Sequence, residues 1–194
     1  MAALDAETIM LATENVLRRY GPAKATVVDV ARALGVSHAA VYRHFPSKTA
    51  LREAVTRRWL GRAHDELAGL AADAHRPPPQ RLHAWLRALY DTKRGTARTD
   101  PELFATYGVL AQENSAVAAE HVAALLHQLE TIVAAGVAAG DFAAADPAAA
   151  ARAVFAATAA FHHPAHVAEW RRDDRDELFA GVCALVVNGL RPGG

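Results

Sequence analysis

The chain has 194 residues, 52% of them hydrophobic, with 21 Lys plus Arg balancing 21 Asp plus Glu. That length buries a real core in one domain or two small ones, and abundant alanine with modest glycine favours helix. One cysteine, Cys183, rules out a disulfide framework within the chain and fits a reducing compartment. No run of about 18 uninterrupted apolar residues points to a transmembrane helix. The opening MAALDAETIM has neither the basic start nor the apolar centre of a secretion signal, so a cytoplasmic protein without membrane attachment is expected.

In chain order, Asp5 caps a helix with apolar positions Ile9, Ala12, Val16 and Leu17, and Gly21-Pro22 ends it. Thr26 caps a second helix, with Asp29 placed to point back at the cap amide. Val27, Val30, Ala31 and Leu34 form its apolar face, and Gly35 stops it. Ser37 caps a third helix of only about two turns, closed by Pro46. Ser47 caps a fourth, carrying Leu51, Val55, Trp59 or Leu60, and Leu67 towards Asp73. The tract RPPPQ, Arg76 to Gln80, reads as a stiff break. Leu82 to Lys93 reads as helix, Gly95 to Asp100 as a polar loop, and Pro101 as the first turn of another helix. A long run through Val117, His121, Val122, Leu125, Leu129, Ile132 and Val133 ends at Gly140. Asp146 caps a helix that reaches Phe161, and Pro164 breaks it. The last helix starts near Asp174 and carries Leu178, Phe179, Val182, Leu185, Val186 and Leu190. No strand periodicity is present, so the expected fold is all-α.

Charge is unevenly spread. Residues 1–60 hold nine Lys/Arg against five Asp/Glu, and the remainder holds twelve against sixteen. An anionic partner for the N-terminal part follows. The segment ALGVSHAAVYRHFPSKTAL, Ala33 to Leu51, supplies a reason. Two helices joined at Gly35 match a helix-turn-helix, whose second helix enters the major groove of double-stranded DNA. The cap at Ser37 frees His38, Ala39 and Ala40 to face base edges, where small side chains permit close approach. Tyr42, His44 and Lys48 follow where the DNA backbone would pass, and each carries a donor for phosphate oxygens. Arg43 is open to base, phosphate or neither.

The run VVDVARALGVSHAAVYRHFPSKTALREAV closely resembles the DNA-binding signature of the TetR family of transcriptional regulators, over about residues 5–60. The residues that carry the likeness are Thr26, Asp29, Ala31, Gly35, Val36, Ser37, Tyr42, His44, Phe45, Ser47, Lys48 and Leu51. The resemblance implies phosphate contacts from Thr26, Tyr42, His44 and Lys48, and a groove-facing segment from Ser37 to Arg43. It also implies a homodimer with a C-terminal ligand-binding domain that represses from a palindromic operator. Three positions depart from the usual pattern: His38 stands where Lys is frequent, Ala39 where Gly is frequent and Val28 where Arg is frequent. The expected organisation is a helix-turn-helix domain over residues 1–48, continuing in the fourth helix to about 60. A helical effector-binding and dimerisation domain then covers residues 61–194.

The C-terminal part has no comparable signature. A bundle that encloses a small-molecule effector needs apolar walls and a few polar groups, and His64, His83, Tyr107, His121 and Gln128 are the candidates. The last two long helices are too apolar to face water on every side. In the resemblance this pair meets its copy, with Val154, Phe161, Leu178, Val182, Leu185 and Val186 at the dimer interface. FHHPAHV brings His162, His163 and His166 close in sequence. It suggests as an alternative a small metal-dependent enzyme, although Pro164 breaks the helix that chelating spacing requires. Phosphate loops, nucleophile elbows and zinc-protease helices are absent, so neither an enzyme nor a cofactor is expected.

Overall fold

A computed structural model describes residues 4–113 and 115–193, without the side chains of residues 62 and 63. Every regular element among them is helical: α1 (Ala6–Lys24), α2 (Val27–Leu34), α3 (His38–Tyr42), α4 (Lys48–Ala72), α5 (Pro78–Thr99), α6 (Pro101–Gln112), α7 (Ala116–Ala139), α8 (Pro147–Ala157), α9 (Ala159–His162) and α10 (Arg175–Gly189). A 3-10 segment, Pro164–Arg171, separates α9 from α10.

The helix starts follow the capping residues. Asp5 accepts from the Thr8 amide at 2.7 Å, Asp146 from Ala149 at 3.0 Å, and Ser47 from Ala50 at 3.0 Å. Thr26 and Asp29 form a reciprocal capping box. Gly35 ends α2 at φ 67°, a left-handed conformation that other residues resist. Where the structure departs from the sequence reading, local hydrogen bonding explains it. Pro78 and Pro79 open α5 instead of lying in the break, because first-turn amides have no intrahelical acceptor to lose. Gly95 to Asp100 is not a loop. α5 propagates through it to Thr99, and the Asp100 amide still donates to Thr96 at 2.8 Å. α1 resumes for one turn after a kink at Gly21. The helix expected from Pro147 to Phe161 breaks at Thr158, whose hydroxyl donates back to the Val154 carbonyl at 2.9 Å. Arg175, in the first turn of α10, is buried over the Phe161 ring and donates to the Ala160 carbonyl at 2.7 Å.

The chain folds as two compact units. The first comprises Met1–Gly61 and Thr96–Glu120, so it takes a segment that lies beyond the single cut near residue 61 drawn from sequence. Its core includes Ile9, Leu17, Val30, Val41, Leu51, Val55 and Trp59, with Leu103, Phe104, Tyr107 and Leu110 from α6. Arg18 grips the Asp100 carboxylate with two nitrogens, at 2.7 and 3.0 Å. The second unit comprises Arg62–Gly95 and His121–Gly194. Its core joins Leu67, Trp85, Leu89, Leu125, Leu129, Ile132, Phe142 and Cys183. There Tyr90 meets Phe161 edge-on and stacks on Phe179, with centroids 5.6 and 4.8 Å away. α7 has the length and mean hydropathy, 1.6 over 18 residues, of a membrane span. His121, Gln128 and Glu130 interrupt its apolar run, so no uninterrupted stretch marks it in the sequence. Its large apolar residues Leu125, Leu129, Ile132 and Val133 belong to the core of the second unit.

Candidate nucleic-acid interface and interior polar cluster

α2 and α3 give the first unit its candidate interface. Ser37 Oγ accepts from the Ala40 amide at 3.2 Å, which starts α3 as a helix of five residues. His38, Ala39, Tyr42, Arg43 and His44 are exposed, and Lys48 is half-buried at the start of α4. The His38 and Tyr42 rings meet edge to face with centroids 6.4 Å apart, so they share one exposed side. Ala40 is the exception to the sequence expectation. It is 7% exposed, with its methyl packed inward beside fully buried Val41, so it is not on the outer face. Thr26 is exposed, yet its hydroxyl is engaged twice by Asp29: it donates to Oδ2 at 2.6 Å and accepts from the amide at 3.2 Å.

Charge on this unit divides in two. Arg18, Arg32, Arg52, Arg57 and Arg58 are committed to carboxylates of the same unit. Arg43 and Lys48 make no ion pair among the described residues. Arg19, Lys24 and Arg98 are also without an ion pair among the described residues; Arg43 and Lys48 are the two that flank the loop between α3 and α4, where the helix-turn-helix resemblance places the DNA backbone.

The second unit holds the polar groups that sequence offered as an effector site, in part. His64 Nε2 and His121 Nδ1 lie 2.6 Å apart with the rings 7° from parallel. His121 Nε2 is 2.8 Å from Lys93 Nζ. Gln128 accepts from the Trp85 indole at 2.9 Å and donates to the His64 carbonyl at 3.4 Å. His64, His121 and Gln128 thus come together, and two residues that sequence reasoning did not propose, Lys93 and Trp85, complete the group. Their signal was present, since Trp85, Leu89 and Lys93 recur every four residues on one face of α5. His83 and Tyr107 do not join them. His83 is exposed at the rim of a groove of about 460 Å³ beside Arg76 and Arg191. Tyr107 is buried in the first unit, with ring centroids 6.4 Å from Trp59 and 6.2 Å from Phe104, and burial pushes its hydroxyl up to about 12.

Burial controls protonation in the cluster. It lowers the Lys93 ammonium to about 7. It also lowers His121 strongly, aided by the positive groups Lys93, His64 and His162. His64, half-buried, is lowered for the same reason, with Asp65 acting in the opposite sense. His162 is held down to about 4 by burial.

The histidines of FHHPAHV disperse. His162 Nε2 donates to the Phe155 carbonyl at 3.1 Å, His163 Nδ1 accepts from the Ala165 amide at 3.2 Å, and His166 Nδ1 faces Glu169 at 3.0 Å. Among the described residues, no three His, Cys, Asp or Glu are grouped to hold a metal ion.

Of the six residues expected at a dimer interface, Phe161 is corrected, and Val154 lies mostly in the core while still bordering the groove beside Leu185 and Val186. Val154 and Phe161 are 4% and 2% exposed and belong to the unit's own core, because the break at Thr158 turns Phe161 inward onto Tyr90 and Phe179. Leu178 and Leu185 are 47% and 74% exposed, and Val182 and Val186 are half-buried. Leu185 and Val186 border an apolar groove of about 430 Å³ lined by Ala149, Ala150, Ala153 and Leu190.

Family models match two segments of the chain. Residues 9–55 match the bacterial regulatory proteins of the tetR family, and residues 78–183 match the tetracyclin repressor-like C-terminal domain. No curated protein matches. Among solved structures, the TetR transcriptional regulator SCO0520 from Streptomyces coelicolor is 25% identical over 98% of this chain and 100% of its own, with a TM-score of 0.54. SmeT, the repressor of the multidrug efflux pump SmeDEF of Stenotrophomonas maltophilia, is 20% identical over 98% of this chain and 92% of its own, with a TM-score of 0.70. The transcriptional regulator FadR from Bacillus subtilis, solved with stearoyl-CoA, is 16% identical over 96% of this chain and 100% of its own, with a TM-score of 0.67. The second match spans more than half of the chain and the first falls on the capped helix pair, so the chain belongs to the TetR family of transcriptional regulators.

Proposed function

We propose that this regulator is a ligand-responsive repressor that binds a palindromic operator as a homodimer and is released by a small-molecule effector. The observation that carries the reading is the exposed surface of α3 with Arg43 and Lys48 beside it. Residues on α3 read bases, and donors at its end and at the start of α4 hold phosphates. Thr26, Ser37, His38, Ala39, Tyr42, Arg43, His44 and Lys48 make up the interface. Of these, His38, Ala39 and Arg43 face base edges.

The second copy supplies the second half-site. Leu178, Val182, Leu185 and Val186, with the alanine-lined groove, form one self-complementary patch across a two-fold axis. The domain ending near residue 60 serves DNA and the C-terminal helices serve effector and partner. Effector control works by population: a ligand bound more tightly in the DNA-free arrangement moves the dimer towards it. α4, α5 and α7 each carry residues of both compact units, which gives this coupling a covalent route. SmeT is a repressor and FadR is solved with an acyl-CoA, which supports repression and a small-molecule effector for this chain also. Such a protein acts in the cytoplasm as a regulator, not as an enzyme.

Selection of genomic fragments on the immobilised protein tests the reading. Recovery of fragments that share an inverted repeat, one half-site per protomer, is expected. Recovery with no common sequence would replace the repressor by an architectural DNA-binding protein.

A further inference from the structure

Lys93, His121 and His64 form one hydrogen-bonded chain through the interior of the second unit. The links measure 2.8 Å and 2.6 Å. Lys93 and His121 are 5% and 3% exposed, while His64 at the other end is half-buried and within reach of solvent. The bonding imposes a polarity. As an ammonium, Lys93 only donates, so His121 Nε2 must accept and its Nδ1–H must donate to His64 Nε2. The His64 proton then resides on Nδ1, which makes no hydrogen bond among the described residues. As a neutral amine, Lys93 accepts as well, and the chain runs in either direction. One added proton therefore fixes all three side chains in a single orientation, with an N–H at the half-buried end.

We infer that this chain is the recognition element for the effector, and that the effector is an organic acid whose carboxylate binds the Nδ1–H of His64 and drives uptake of one proton by the chain. The inference rests on the ligand-responsive reading above. Positive charge in this site is opposed by desolvation and by its neighbours. The groups acting on His121 include Lys93, His64 and His162, all basic; His163 and His166 add to the set around His162, and Asp65 acts on His64. Without ligand the chain stays largely neutral above pH 7, since Lys93 titrates at about 7. An anion at the half-buried end reverses the balance, because opposite charge in a poorly screened interior favours the protonated form. The proton comes from solvent and is shared among three coupled groups. A single added proton neutralises a monoanion, which selects carboxylate over a doubly charged phosphate.

The test uses the full chain and four acids, hexanoate, decanoate, benzoate and indole-3-acetate, each paired with its uncharged amide. At pH 8, calorimetry in buffers of different ionisation enthalpy is expected to show at least one acid binding roughly tenfold or more tighter than its amide, the scale of a charge-assisted hydrogen bond. Binding takes up close to one proton, and affinity falls about tenfold per pH unit above pH 8. Lys93→Met abolishes the preference and the proton uptake. His64→Phe, at the half-buried end, does the same and keeps the test sound should Lys93→Met fail to fold. The assignment is overturned if no acid is preferred, if an acid binds without proton uptake, or if its preference survives both substitutions. An operator-release assay with the same compounds and a neutral library separates this failure from the broader one. Release by neutral compounds alone overturns the acid and leaves the regulator; release by none removes both.

Discussion

Lys48 and His162 show how one side chain acquires a role from its surroundings. Lys48 is a half-buried cation with no ion pair among the described residues, beside the exposed helix α3 and the Arg43 and His44 that follow it. Replacing it by alanine is expected to weaken all DNA sequences alike and to reduce the slope of log affinity against log salt by roughly one unit. An unchanged slope would remove Lys48 from the phosphate contacts. His162 was legible as a histidine but not as a buried one. Sequence adjacency to His163 and His166 suggested a metal, whereas the fold gives its Nε2–H to a backbone carbonyl and holds the ring neutral. Its pKa of about 4 lies below the ordinary 6.5, so the unfolded chain binds the proton first. Stability from this group is therefore present above pH 6.5, declines as pH falls towards 4, and is level below that, a loss on the order of 3 kcal/mol. Urea midpoints between pH 7 and pH 4 check this. His162→Phe is expected to flatten the dependence, and a wild-type curve without decline would contradict it.

At the scale of elements, the capped helices were legible because their signals are local. Asp5, Thr26, Ser37 and Asp146 each bond an amide three residues on, and Gly35 needs only its own backbone. What escaped depended on distant partners or on continuity. Gly95 to Asp100 looks like a loop by composition, yet a helix already under way adds one backbone bond per residue and carries polar residues at little cost. Asp100, a natural cap, is drawn off by Arg18 across 82 positions of sequence. Gly136, unremarked in the sequence, is required by packing. A Cβ there would overlap the Phe142 ring, which lies against the bare backbone of α7. Gly136→Ala is expected to cost about 1–3 kcal/mol of stability through overpacking, despite the better helix propensity of alanine. Thermal melts of the two proteins decide, and a more stable variant would show that Phe142 moves aside freely.

At the scale of the whole molecule, the exposed leucines carry the proposed contact between two copies. Leu185 is 74% exposed, so glutamate there costs a lone protomer almost nothing. In a self-complementary interface the same charge is buried twice, at several kcal/mol. Leu185→Glu is therefore expected to give a helical monomer with operator affinity lost, by light scattering and gel shift. A dimer with full affinity would place the interface elsewhere. Sequence periodicity puts Leu178 and Leu185 on one helical face, and both are exposed, but the break at Thr158 that turns Phe161 inward lies beyond periodicity. The interleaved composition of the first unit carries a different consequence, one for proteolysis. Trp59 packs with Phe104 and Tyr107, so the reading head draws part of its core from Thr96–Glu120. A protease that cuts near residue 61 would release a fragment with bare aromatic surface, prone to unfold and aggregate. Cleavage would thus destroy the DNA-binding part and not liberate it, leaving no truncated form to occupy operators unregulated.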